Sequence, residues 1–278
     1  MKVPETPLVR IRPPRRWEAL DLRALWSYRD LLWALALRDI RLRYRQTVLG
    51  VLWVVLQPLL GAGIFAFVFG RVARLDSGGV PYLHFTYTGL LVWNLFSTTV
   101  LKASTAMVSN ATLISKVAFP RLLLPFSAAV SGLVDFAIGL VAGIILIFST
   151  GSHPHWSIFA APLWLALLIL LALGVGLISG ALAVAYRDVV HVMPVALQLL
   201  LYASPVGYTI AVIPEGWPRL LYKLNPLAPL LEGFRSAFLG QGFVGQRSAL
   251  YAIVMALLVF LAGLIFFRHR ERQFADVI

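Results

Sequence analysis

Two charged side chains, Lys102 and Asp135, stand inside apolar stretches that otherwise carry no charge. A carboxylate in hydrocarbon is a candidate for proton or ion handling, because a lone charge there is costly unless it is used or partnered. A proton relay needs several ionisable groups along its path, and Asp135 supplies one. The competing reading, a hydrogen-bonded acid that ties helices together, is the better supported of the two. Lys102 lies nearer the inner end of its stretch than Asp135 does of its own, so direct pairing would require strong helix tilt.

A second pattern lies ahead of the first apolar stretch. Arg38, Arg41 and Arg45 recur at helical spacing, and at ~100° per residue Leu31, Leu35 and Leu42 share an arc beside them. That arrangement suits a helix over 28–47 lying in a membrane interface, with arginines snorkelling to head groups. Leu37 and Ile40 fall off the arc and weaken the amphipathic pattern.

No residue set offers catalysis. There is no GxxxxGK[ST] phosphate loop, and the glycines of Gly61/Gly63 and Gly174/Gly176 sit in apolar runs where they read as close helix contacts. Cysteine is absent, which removes disulfides, thiolate chemistry and Cys-ligated metal. Of His84, His153, His155, His191 and His269 only the His153/His155 pair is close in sequence, and two histidines across a proline read as loop residues, so no metal site is assigned. The catalytic and metal assignments are therefore none. The chain itself binds no cofactor, and if nucleotide energy is used another polypeptide must supply it. Aromatic residues, 12% of the chain, gather near the ends of the apolar runs, as an interfacial belt does. A sharper reading has Trp53, Tyr87, Trp93, Phe96, Tyr202 and Tyr208 lining a conduit, since flat π-faces accept sugar rings through CH contacts.

The elements that must position these residues follow from composition. The 278 residues are 60% hydrophobic and 13% charged, with mean hydropathy +0.84. A soluble domain is about 45–50% apolar, so water is not the main solvent of this fold. Lipid leaves backbone groups without partners, and long Leu/Val/Ala/Ile runs exclude the alternating pattern of a barrel. The fold class is all-α integral membrane. A span needs roughly 20 apolar residues, and six fit: 49–69, 84–107, 122–148, 158–185, 192–213 and 248–267. Together 48–278 form one transmembrane domain. Residues 1–27 are a cytoplasmic basic tail, of which 1–17 are Pro- and Arg-rich, a composition that cannot bury a core and is expected to be without structure.

The formal charge is +12, which in a soluble protein would suggest nucleic acid. Eleven of the 24 basic residues precede Gln46, however, and this clustering reads as an anchor on anionic lipid, so no nucleic-acid partner is assigned. With a cytoplasmic amino terminus, cytoplasmic segments hold 17 bases and outer segments 6. The positive-inside rule thus puts both termini in the cytoplasm of a multi-pass protein of the bacterial inner membrane. Between the last two spans, 214–247 is rich in Pro and Gly yet apolar. It predicts two short helices, Trp217 to Leu224 and Leu227 to Leu239, hinged at Asn225-Pro226. Both are too short to cross, and they fold back at the outer leaflet as a gate in which Glu232 and Arg235, three apart, could pair.

The order of several motifs resembles one family. They are Arg38-Asp39-Ile40-Arg41-Leu42 with Arg45-Gln46, Leu49-Gly50-Val51-Leu52-Trp53, Gln57-Pro58-Leu59, Trp93-Asn94-Leu95-Phe96, Asn110 with Leu113-Ile114 and Lys116-Val117, and Phe119-Pro120-Arg121. Tyr186-Arg187-Asp188-Val189, Asn225-Pro226-Leu227 and Gly233-Phe234-Arg235 complete the set. The chain resembles the permease subunits of polysaccharide-exporting type-2 ABC transporters, which move O-antigen, teichoic acid or capsule. The resemblance implies a homodimer with two separate nucleotide-binding ATPase subunits that hold ATP and Mg, moving a lipid-linked polysaccharide, with O-antigen the leading choice. It further implies that the loop carrying Asn110, Leu113, Lys116, Phe119, Pro120 and Arg121 docks on the ATPase, and it lets the Arg38/Arg41/Arg45 stripe bind a lipid pyrophosphate by charge-assisted hydrogen bonds. Plain binding of anionic membrane lipid is an equal alternative for that stripe. Two other functions compete: an ABC exporter of small drugs or lipids, and a membrane-embedded glycosyl or phosphoryl transferase. The transferase would have only Asp76, Glu215 and Glu232 in the outer loops.

Overall fold

Continuous apolar runs without Gly-Pro punctuation fold as long helices, because a backbone in lipid must close its own hydrogen bonds. The computed structural model describes residues 22–45, 49–150, 156–240 and 244–271, and no strand occurs among them. α1 (Leu22–Ser27) and α2 (Arg29–Tyr44) precede α3 (Leu52–Phe65), which continues as a π-helix over Ala66–Val72. α4 (Tyr82–Ser109), the short α5 (Ala111–Lys116) and α6 (Leu123–Ser149) follow. A 3-10 turn, Trp156–Ala160, leads into α7 (Ala161–Ala185). Then come α8 (Val189–Tyr202), a 3-10 turn at Ile210–Val212, α9 (Trp217–Leu224), α10 (Leu227–Leu239) and α11 (Gln246–Glu271). The stretch 1–17 expected to be without structure lies outside the described residues, and the basic tail ends in helix α1.

Among the described residues four helices are long and apolar enough to cross a membrane: Leu52–Val72, Leu123–Ser149, Trp156–Ala185 and Gln246–Glu271. Six spans were expected, and the other two differ for physical reasons. α4 has 28 residues, length enough, but carries His84, Thr86, Thr88, Asn94, Ser97, Thr98, Thr99 and Lys102. The expected span 192–213 is not one helix. α8 stops at Tyr202 after 14 residues, about 21 Å, and turns follow before Ile210.

α4 and α7 form the centre. α4 packs on α6 and α7, and α7 packs on α11. Phe96, Val100, Leu168, Phe234 and Ala256 are buried in one cluster, and Met107, Leu122, Leu177 and Phe267 in a second toward the inner ends. α7 and α11 touch backbone to backbone, since a Cβ on Gly174 would lie 2.6 Å from the Val259 carbonyl oxygen. Gly176 likewise meets Ala103 closely, as read from sequence. Gly63 meets nothing within 4 Å, so it is no helix contact within the chain.

Candidate functional site

α2 packs on α6 through Leu35 and Ala36, both buried, with Leu31 and Leu32 partly buried alongside. Leu42 is 63% exposed, so the arc of Leu31, Leu35 and Leu42 is not the packed face. The inward positions run 32, 35, 36, 39, 40 and 44, at helical spacing. The outward face carries Trp33 and Leu37 followed by Arg41 and Arg45, four apart and exposed. Arg38, also exposed, is engaged: its guanidinium donates to Asp39 and, over 2.9 Å, to Asn110 Oδ1. The three arginines thus do not act alike.

The residue that sequence reading missed is Arg43. Its guanidinium and the Tyr44 hydroxyl each donate to one oxygen of Asp135, so both carboxylate oxygens are held by the end of α2. Asp135 does tie helices together, but with a partner from outside the spans. Burial and the neighbouring carboxylate push the Tyr44 hydroxyl above the usual tyrosine value, which keeps it a neutral donor. Lys102 does not pair with Asp135. It donates to Ser131 Oγ at 2.9 Å, one turn nearer the inner end of α6. The signal that could have found Arg43 is the need of a nearly desolvated carboxylate for a cation, applied to the preceding helix as well as to the spans.

Asp135 also shares a cavity of about 180 Å³ with Val54, Gln57 and Pro58, the first two turns of α3. It counted as mid-span in the sequence, yet it lies level with the start of α3. The inner ends of α4 and α6 therefore extend past that level, and α2 lies against the projecting part. Asn94 and Thr98 of α4 complete the polar lining, above an apolar floor of Leu91, Leu95 and Phe136.

At the inner tip, Asn110 ends α4, its Nδ2 donating to the Ala106 carbonyl at 2.9 Å. α5 turns back with Leu113, Ile114 and Phe119 partly buried against the inner cluster, while Lys116 and Val117 are exposed. Arg121 donates to the Glu271 carbonyl at 2.6 Å and fastens this loop to the end of α11, next to the Arg268–Glu271 pair. Pro120 is half-buried. The loop thus presents a small basic and apolar tip on a rigid mount.

At the other end, α9 and α10 have the bounds read from sequence, with Pro226 as the residue before α10. Asn225 joins three elements: Nδ2 donates to the Ala203 carbonyl (3.1 Å) and Ser204 Oγ (2.9 Å), and Oδ1 accepts from the Leu227 amide. The expected exposed pair of Glu232 and Arg235 is not what forms. Glu232 accepts from the Tyr222 hydroxyl at 2.7 Å, and burial with that carboxylate raises the hydroxyl's pKa. Arg235 is 6% exposed and donates to the Pro205 (2.7 Å) and Val206 (3.0 Å) carbonyls, its guanidinium 3.7 Å from the centre of the Phe85 ring. The reason is the end of helix α8 at Tyr202, after which turns leave carbonyls without helical partners and offer a buried cation a cage.

The aromatic set divides. Tyr87, Trp93 and Phe96 are core residues at 2%, 5% and 1% exposure within one copy, with the Tyr87 hydroxyl donating to the Gly139 carbonyl. Trp53 and Tyr202 are exposed, and Tyr208 donates to the Tyr202 carbonyl. Tyr208, Trp217, Leu221 and Phe69 border an apolar groove of about 600 Å³. Among the described residues no three His, Asp or Glu side chains converge, and His153 and His155 lie outside them.

The ABC-2 type transporter family pattern matches residues 30–239. The chain is similar to the O-antigen export system permease protein RfbA of Myxococcus xanthus, 30% identical over 92% of this chain and 98% of that protein. It is similar to the protein of that name from Klebsiella pneumoniae, at 28% over 90% and 95%. The polysialic acid transport protein KpsM of Escherichia coli is 27% identical over 86% and 92%. With a match spanning α2 through α10, the chain belongs to the ABC-2 type transporter family.

Proposed function

We propose that the chain is the membrane permease of an ATP-driven exporter that moves lipid-linked polysaccharide, O-antigen above all, across the bacterial inner membrane. The observation that carries this reading is likeness along nearly the whole chain to permeases named for O-antigen export. Two copies form the path, since the described helices of one subunit close around a packed core. Six crossings per copy, with α4 and α8 as the second and fifth, put both termini in the cytoplasm. ATP and Mg are bound by two separate ATPase subunits that dock at the α5 tip, where Lys116 and Val117 are exposed beside the Arg121 anchor. Arg41 and Arg45, with no acid partner among the described residues, face the membrane surface where a lipid pyrophosphate arrives. α9 and α10 cap the outer end.

The test is export itself. In cells lacking the chain, surface polysaccharide should disappear while lipid-linked glycan accumulates inside, and the chain with its ATPase should restore it. Surface glycan at full level without the chain removes the reading, and so does robust ATP hydrolysis by the purified chain alone.

A further inference from the structure

The cavity shared by α2, α3, α4 and α6 has a composition that anchoring does not explain. Hydroxyls on a buried helix usually donate to their own backbone, and on α4 those of Thr86, Thr88, Ser104, Thr105 and Ser109 do so. Thr98 makes no such bond, and neither it nor the Gln57 and Asn94 side chains has a hydrogen-bond partner among the described residues. All three face the same 180 Å³ cavity. Gln57 is exposed and Asn94 and Thr98 are half-buried, so these three groups stand at an accessible polar wall with their hydrogen-bonding capacity open to a polar ligand.

The electrostatics narrow what that is. Arg43 and Asp135 form the charged wall, and their charges cancel in the pair. An anion such as pyrophosphate gains little from a cation already neutralised, whereas a neutral polyol gains from amide, hydroxyl and carboxylate groups that both donate and accept. The volume equals that of about six water molecules at ~30 Å³ each, the scale of one sugar ring and not of several. Pro58 and Phe136, which line the same cavity, supply apolar surface for the ring's CH face. Gln57 and Arg43 are exposed, so the cavity has an open mouth.

We propose that this cavity is a subsite for a single neutral pyranose ring, held by Gln57, Asn94, Thr98 and the Arg43–Asp135 pair against Pro58 and Phe136. It rests on the exporter reading and specifies it: the glycan is read ring by ring at the inner end of the path, apart from the exposed arginines that face the lipid phosphate.

The chain has no cysteine, so Ser97→Cys places one thiol on the cavity wall without touching the proposed sugar ligands. The experiment uses vesicles from cells carrying this variant with its ATPase, labelled with N-ethylmaleimide in the presence of polyprenyl-pyrophosphate-linked oligosaccharide or of sugar-free polyprenyl pyrophosphate. The glycosylated lipid should slow labelling at least fivefold and the sugar-free lipid should not. Adding Asn94→Ala and Thr98→Val should abolish the protection. Equal protection by both lipids makes this an anion site and overturns the proposal, and a thiol that never labels shows a cavity closed to solutes and does the same. Absence of protection in vesicles that still deliver glycan overturns the subsite and leaves the exporter reading intact. Vesicles that deliver no glycan remove both.

Discussion

Arg38 and Asn110, 72 residues apart, are joined at 2.9 Å, so α2 is fastened to the turn that ends α4. The same turn begins α5, the proposed dock of the ATPase. A force applied to α5 therefore reaches α2 directly. Asn110→Ala should change stability by less than about 1 kcal/mol, because the contact is exposed and solvent competes for it. It should nevertheless lower glycan exported per ATP hydrolysed several-fold, and Arg38→Ala should add nothing further in the double variant. Independent, multiplying effects in that cycle would show that the bond transmits nothing.

Asp135 has its two oxygens taken by Arg43 and Tyr44. Asp135→Ala leaves the Arg43 guanidinium and the Tyr44 hydroxyl without their carboxylate and should cost about 1–3 kcal/mol, while the combined Arg43→Leu/Asp135→Leu change should cost less than the single one. Thermal unfolding in detergent measures both. A double variant less stable than the sum of the singles would contradict the pairing.

Tyr44 supplies a pH test of the same junction. Its hydroxyl value is raised in the folded state from an ordinary 10.0, so its contribution is complete below pH 10 and is lost as pH climbs from there toward the folded value. The stability gap between the protein and Tyr44→Phe should be flat from pH 6 to 9 and shrink only above 10. A gap that closes near neutrality would mean that another group holds Asp135.

Much of this architecture is legible in the residues, and the failures share one cause. Helix bounds at Trp217–Leu224 and Leu227–Leu239 follow from Pro and Asn punctuation, which acts locally. Family likeness follows from motif order. What periodicity did not supply was which groups meet across helices. Arg43 was only one of the eleven bases ahead of Gln46, and Glu232 looked like the natural partner of Arg235 three residues on. Both assignments were decided by tertiary neighbours: a carboxylate 92 residues away for Arg43, and the carbonyls that follow the end of α8 for Arg235. Trp93 and Phe96 were read as lining for the related reason that an apolar helix gives little sign of which side faces its own core.

Arg235 is the buried cation of the outer segment, and two charge-assisted bonds plus the Phe85 ring hold it. Arg235→Ala leaves the Pro205 and Val206 carbonyls unsatisfied and should destabilise by about 3–5 kcal/mol. Arg235→Lys should recover only part of that, since an ammonium cannot reproduce the planar fork. Glu232→Ala, which loses only the Tyr222 bond, should cost about 1 kcal/mol. If Arg235→Ala and Glu232→Ala unfold alike, the cage is not what holds α10.

The outer segment also tests whether its helices gate the path or merely cover it. α9 exposes Trp217, Leu220, Leu221 and Leu224, an apolar face that one subunit leaves uncovered, while Asn225 fixes the hinge to Ala203 and Ser204. If two copies meet over the outer end, these faces approach each other when the exit is shut and separate when glycan passes. A cysteine at Leu220 or Leu224, in a chain that has none, should form a disulfide or bis-maleimide crosslink between subunits in resting membranes. Export should fall at least tenfold when the crosslink forms and return on reduction of the disulfide, with ATPase subunits still bound. Substituting Asn225→Ala should loosen the hinge, lowering crosslinking yield without unfolding the core, because its contacts lie at the segment's edge. Full export through a crosslinked dimer would show that α9 and α10 are a passive cover.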